Sequence, residues 1–150
     1  ALGWLKCRLP KMIAIQSSGC APIVNAFNKG LDHAQLWENA HTIASGIRVP
    51  AAIGDFLILD ALKESNGYAL SVDDEHIIQI RDLVAQEDGL LLCPEGAATA
   101  AGYQLAIEKK IISTDEKVML FNCATGLKYP MPPAIKTIDI SNTVDYQQFI

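Results

Sequence analysis

The chain has 150 residues, half of them apolar and 19% charged, with a formal net charge of −5. That length suits one domain with a buried core, and the composition excludes a disordered or collagen-like chain. The acidic balance leaves no basic stripe for nucleic acid, and no apolar run approaches the roughly 20 residues of a membrane span.

Residues 11–16 (KMIAIQ) read as a short strand closed by Ser17-Ser18-Gly19. Pro22 suits the first turn of a helix, with Ile23, Val24 and Phe27 on one face and Gly30 ending it. Pro50 is expected to open a second helix in the same way, burying Ile53, Phe56, Leu57 and the apolar residues of 59–62 before Asn66-Gly67. Residues 68–72 form a strand, and Asp73 caps a helix whose first turn carries Asp74 and Glu75. Ile77, Ile80, Leu83 and Val84 make that helix's apolar stripe, which runs to Asp88-Gly89. Residues 90–93 (LLLC) read as a fully apolar strand, 96–110 as an alanine-rich helix and 117–122 (KVMLFN) as another strand. After Tyr129, Pro130, Pro132 and Pro133 break regular structure, and 138–140 are expected to add a last short strand. Strands alternate with helices over short connections, which implies an α/β fold with a mainly parallel sheet covered by helices on both faces.

Chemistry in such a sheet gathers at the carboxyl ends of the strands. Pro94-Glu95-Gly96-Ala97-Ala98 lies at one, where small residues let a helix start close to a ligand. Glu95 stands out there as a charge flanked by apolar Leu92 and Ala97, although a plain strand-to-helix turn explains the spacing equally well. Asn122-Cys123-Ala124-Thr125-Gly126 lies at another, offering a thiol and a hydroxyl; the alternative is a buried cysteine and a turn-capping threonine. Arg48 sits in the loop Ser45-Gly46-Ile47-Arg48-Val49-Pro50 as a fork for a carboxylate or phosphate, or as an ion-pair partner of Asp55.

The four cysteines, Cys7, Cys20, Cys93 and Cys123, contain no C-x-x-C pair, so reduced thiols in a cytoplasmic protein are expected and a zinc site is not. Cys20 reads as a buried thiol, although a helix start can lower a cysteine's pKa. His33, His41 and His76 are scattered without metal-site spacing, and His76 is expected to face solvent.

The order of Ile15-Gln16-Ser17-Ser18-Gly19-Cys20-Ala21-Pro22-Ile23, then 43–50 (IASGIRVP), Gly54-Asp55, 94–98 (PEGAA) and 125–130 (TGLKYP) resembles the threonine synthase family. The likeness covers residues 1–130 and leaves 131–150 as a tail. It implies part of a tryptophan synthase beta-like, fold-type II catalytic domain dependent on pyridoxal 5'-phosphate. The implied reaction converts O-phospho-L-homoserine and water to L-threonine and phosphate. In that family a lysine in a Ser-x-Lys-type motif carries the cofactor as a Schiff base, and a glycine-rich loop holds its phosphate. No lysine here has a serine two residues before it, and G-x-G does not occur. The resemblance therefore implies a C-terminal fragment that starts after the glycine loop, inactive without an N-terminal part of the same protein, with a homodimer compatible.

Counting back from Gly126-Leu127-Lys128 places Cys123 where relatives carry the threonine that faces the pyridine nitrogen. The resemblance thus implies Cys123 in that role with Thr125 second, Glu95 lining the ring and Arg48 on the substrate side. A dehydratase of the same fold, or a stand-alone ligand-binding domain, are the competing readings.

Overall fold

The computed structural model describes residues 9–131 and 137–149. Segment 1–4, Cys7, Pro132 and Pro133 lie outside them.

Two strands, β1 (Ile13–Ser17) and β2 (Tyr68–Val72), pair in parallel with Ile13 opposite Tyr68 and Ser17 opposite Val72. The chain between them carries α1 (Pro22–Asn28) and α2 (Asp55–Glu64); α3 (Asp74–Asp88) and α4 (Pro94–Glu108) follow β2. Successive strand residues point to opposite faces. Ala14 and Ala69 accordingly pack with α1 and α2, around Ile23, Val24, Leu59 and Leu62. Leu70 and Val72, with Ile13 and Ile15, face α3 and α4, packing among Ile77, Ile80, Ala97, Ala101 and Ala106. Leu59 and Leu62 are essentially inaccessible, and burial stabilises each by about 2 kcal/mol relative to exposure. Helices on both faces of a parallel sheet are what the alternation of strand and helix implied.

The caps of α3 form as expected. The Asp73 carboxylate accepts the His76 N–H at 2.8 Å, and Gly89 ends the helix at φ 66°, the left-handed region that glycine enters without penalty. α4 starts at Pro94 rather than Gly96, because proline at the first helical position has no N–H to leave unpaired. Gly102 brings α4 onto β1: a β-carbon there would stand 2.4 Å from Ile15 Cδ1.

Three expected strands are not formed, and one helix starts late. Residues 90–93 contribute a single antiparallel bridge, from Leu92 to Thr125. Residues 117–122 run without a ladder and expose Met119 and Phe121, since β1 and β2 pair only with each other among the described residues. Residues 138–140 form no strand either. Pro50 does not open a helix; its carbonyl accepts the Trp37 N–H, and α2 begins only at Asp55, whose carboxylate accepts the Phe56 N–H at 2.7 Å. Of the side chains expected to be buried on α2, Ile53 is fully exposed and Phe56 and Leu57 are exposed, leaving Leu59 and Leu62 inside. No helix among the described residues is long and apolar enough to cross a membrane.

Candidate active site

Three distant segments meet at the first turn of α4. The last of them is brought there by backbone pairing. Gly126 N–H donates to the Leu91 carbonyl at 2.9 Å, and Thr125 bridges Leu92, so residues 122–129 lie beside the entry to the helix. Cys93 is the N-cap of α4, and its buried sulfur accepts the Gly96 N–H at 3.2 Å. The Cys93 thiol also faces Asn122 Oδ1 at 3.6 Å and lies beside the Cys123 thiol. The Thr125 hydroxyl accepts the Leu127 N–H at 3.3 Å and caps the short 3₁₀ turn Gly126–Lys128.

The first segment is held from its other side. Asp74, at the start of α3, accepts from Ser17 Oγ at 3.1 Å, Thr42 Oγ1 at 2.5 Å and the Ile43 N–H at 2.9 Å. This one carboxylate ties the end of β1 to the chain that leads into buried Ala44 and the 3₁₀ turn Ser45–Ile47.

Glu95 joins the segments. It is 7% exposed, and its Oε1 accepts the Gly46 N–H at 2.6 Å. The Tyr129 hydroxyl lies 2.8 Å from each carboxylate oxygen. Burial alone would raise the Glu95 pKa, but the Tyr129 hydroxyl and the Gly46 N–H hold it below the ordinary carboxylate value. The same hydrogen bond, with some burial, pushes the Tyr129 phenol up. Gly46 permits the approach, because a β-carbon there would sit 2.8 Å from Oε1.

The residues singled out in the sequence fall into place unevenly. Glu95, Cys123 and Thr125 share this corner, with Cys123 and Thr125 exposed and Glu95 buried. Arg48 follows the 3₁₀ turn directly; it is exposed and forms no ion pair among the described residues. The Arg48–Asp55 pair, the structural alternative to a ligand-binding role, does not form. Asp55 instead accepts the Ala34 N–H at 2.6 Å and faces His33, and the Ala34 hydrogen bond leads in holding its carboxyl below the ordinary value. Cys20 is fully buried, and burial pushes its thiol up despite the positive charge of Arg48 nearby. Burial does the same to Cys93, outweighing the Gly96 N–H. His76 is half-buried rather than solvated, with Nε2 3.0 Å from Gln104 Oε1.

Sequence reasoning missed Tyr129, Gly46, Cys93 and Asn122 as members of this corner. Gly46 and Tyr129 lay inside motifs already noticed. The available signal was Glu95 itself, since a carboxylate among apolar neighbours needs donors.

Comparison with known proteins bears on the family and the fold. A family model described as "Pyridoxal-phosphate dependent enzyme" matches residues 2–124. A threonine synthase of Methanocaldococcus jannaschii is 38% identical over 122 residues, which is 81% of this chain and 30% of that protein. One from Methanosarcina acetivorans is 35% identical over the same shares of the two chains. The chain thus spans about a third of the length of these relatives. The solved structure of maize serine racemase superposes with a TM-score of 0.55 at 19% identity, covering 69% of this chain and 30% of the racemase. At that identity the likeness concerns the fold.

Proposed function

We propose, from the premise that this chain belongs to the family of pyridoxal-phosphate dependent enzymes, that it forms the ring and substrate side of a threonine synthase active site. The reaction is conversion of O-phospho-L-homoserine and water to L-threonine and phosphate. The observation that carries this reading is the convergence of 45–48, 93–96 and 122–129 on the first turn of α4.

The donor set there suits the cofactor's ring. A pyridine nitrogen that stays neutral needs a weak partner, because a carboxylate would favour its protonation. This corner offers the exposed Cys123 thiol and the Thr125 hydroxyl, while its carboxylate, Glu95, is engaged by Gly46 and Tyr129. Thr125 caps the turn through its oxygen and keeps its O–H free to donate, so the preference for Cys123 as the ring partner rests on the count back from Gly126-Leu127-Lys128. The residues present do not supply the covalent link, since no lysine lies in a Ser-x-Lys setting. In this reading that lysine and the phosphate-binding glycine loop belong to sequence beyond these 150 residues.

When bound, the cofactor supplies an electron-withdrawing ring that acidifies the carbons of the amino-acid substrate. Cys123 would stand opposite the ring nitrogen, its thiol a weak hydrogen-bond partner that does not favour protonation of the ring. Glu95, at the start of α4, would line the ring. Arg48, free of an ion pair among the described residues, orients the anionic substrate with its planar guanidinium. Residues 1–130 are part of the catalytic domain and 131–150 a tail. The reading places the protein in the cytoplasm and is compatible with a homodimer.

The test is to assay the complete polypeptide with O-phospho-L-homoserine. Equal release of threonine and phosphate supports the reading; release of neither from folded protein loaded with cofactor overturns it.

A further inference from the structure

We infer that Tyr129 and Glu95 are positioning residues, a clamp that fixes the turn Ser45–Ile47 and thereby places Arg48 at the mouth of the site. Ser45 and Gly46 in the turn are exposed, and its apolar anchor is Ile47, packed on the core beside buried Ala44. Four backbone hydrogen bonds shape the turn and its flanks, Ser45 N–H to Ile43 O at 3.0 Å, Ile47 N–H to Ala44 O at 3.1 Å, Arg48 N–H to Ser45 O at 3.3 Å and Val49 N–H to Ile47 O at 3.0 Å. Its entry is tied down by Asp74 through Thr42 and Ile43, and its exit by the Trp37 N–H on the Pro50 carbonyl. Between those anchors, its tie to α4 through a charged group is the Gly46 N–H on Glu95 Oε1, at 2.6 Å.

Glu95 in turn has few ways to satisfy a buried charge. The Tyr129 hydroxyl is within 2.8 Å of both its oxygens, and a carboxylate so enclosed holds a definite orientation only while its donors stay. Removing the Tyr129 hydroxyl takes away the leading donor and leaves the carboxylate with the Gly46 N–H, its own backbone N–H and the Cys93 thiol. The carboxylate then reorients, and Gly46 loses its acceptor. The chain of contacts runs from Tyr129 through Glu95 and Gly46 to Arg48, joining residues 34 and 49 positions apart from Glu95. None of these contacts requires a bound ligand.

The consequence for substrate rests on the function proposed above. A turn that swings freely presents Arg48 in many orientations, so the substrate's anionic group is bound more weakly while the reacting centre is untouched.

The experiment compares wild type, Tyr129→Phe, Glu95→Gln and Glu95→Ala in the complete polypeptide. One readout is limited trypsin cleavage after Arg48, followed by mass spectrometry of the resulting fragments. The other is the steady-state kinetics of phosphate release from O-phospho-L-homoserine. Tyr129→Phe is expected to speed cleavage after Arg48 about tenfold, the effect of losing one charge-assisted hydrogen bond. Its kinetic loss falls on KM rather than on kcat. Glu95→Gln keeps an oxygen that accepts from Gly46 and Tyr129, so it restores most of what Glu95→Ala loses. Wild-type cleavage after Arg48 in Tyr129→Phe overturns the clamp. So does a Glu95→Gln variant as impaired as Glu95→Ala, because the acceptor would then not be what matters. If the wild type releases no phosphate, the proposed function fails, and the cleavage rates alone decide the clamp.

Discussion

Gly46 and Glu95 stand 49 residues apart in sequence and 2.6 Å apart in space, the backbone N–H of one donating to the buried carboxylate of the other. This contact carries the argument that three separate motifs form one corner, and it makes a simple steric demand. Gly46→Ala places a methyl carbon 2.8 Å from Oε1 and forces either the turn or the carboxylate to move. The expected loss is about 1–3 kcal/mol of unfolding free energy, measured by urea denaturation. Gly54→Ala is the steric control, since its nearest neighbour is Leu57 Cδ1 at 3.9 Å; as the N-cap of α2 it is expected to lose no more than about 1 kcal/mol. Equal effects of the two substitutions would show that the approach is not tight.

The clamp also sets a pH window. The folded Glu95 carboxyl lies below its unfolded value of about 4.3. Its contribution to stability is therefore complete above that value and is lost as pH falls through the lower, folded value. Tyr129 behaves oppositely. Its phenol is raised above the unfolded value of about 10, so its contribution is present below pH 10 and disappears as pH rises through the folded value. Asp55 adds to the acid limb, because its carboxyl is lowered too. The informative quantity is thus a difference between proteins. Glu95→Gln is expected to flatten the acid limb of stability against pH, and Tyr129→Phe the alkaline limb. Parallel curves for wild type and both variants would argue against the hydrogen bonds as described.

Asp74 is the second anchor, and its three donors come from β1 and the chain before the turn. Asp74→Ala leaves the Ser17 hydroxyl, which is 1% exposed, without that acceptor. The expected cost is about 1–3 kcal/mol by thermal or urea denaturation, together with faster amide exchange at Ile43. A variant as stable as wild type with unchanged exchange would remove this anchor from the account.

Much of this scaffold was legible from local signals. β2 and the caps of α3 need only neighbouring residues: an apolar run, Asp73 ahead of the His76 N–H, and Gly89 where the chain must turn left-handed. Pro50 misled because proline fits a loop as well as a first helical turn, and Asp55 supplied the carboxylate that the first N–H groups of α2 need. Residues 117–122 have the apolar content of a buried strand, but a strand requires a neighbour to pair with, and composition does not report one. The Arg48–Asp55 pairing failed for a related reason. Nearness in sequence suggested it, whereas the fold turns Asp55 toward Ala34 and His33. Glu95 was visible as a charge out of place, yet its partners lay far along the chain, and nothing local distinguishes a residue that lines a ring from one that holds a loop.

The most direct test of the central claim is alkylation of the cysteines in the complete polypeptide, with and without pyridoxal 5'-phosphate. Cys123 is exposed, whereas Cys20 and Cys93 are buried, so Cys123 is expected to label ahead of both in native protein. If residues 122–129 meet the cofactor's ring through Cys123, saturating cofactor slows labelling at that residue by about tenfold or more, and Thr125→Ala leaves the protection in place. Equal labelling of Cys123 with and without bound cofactor would contradict the account.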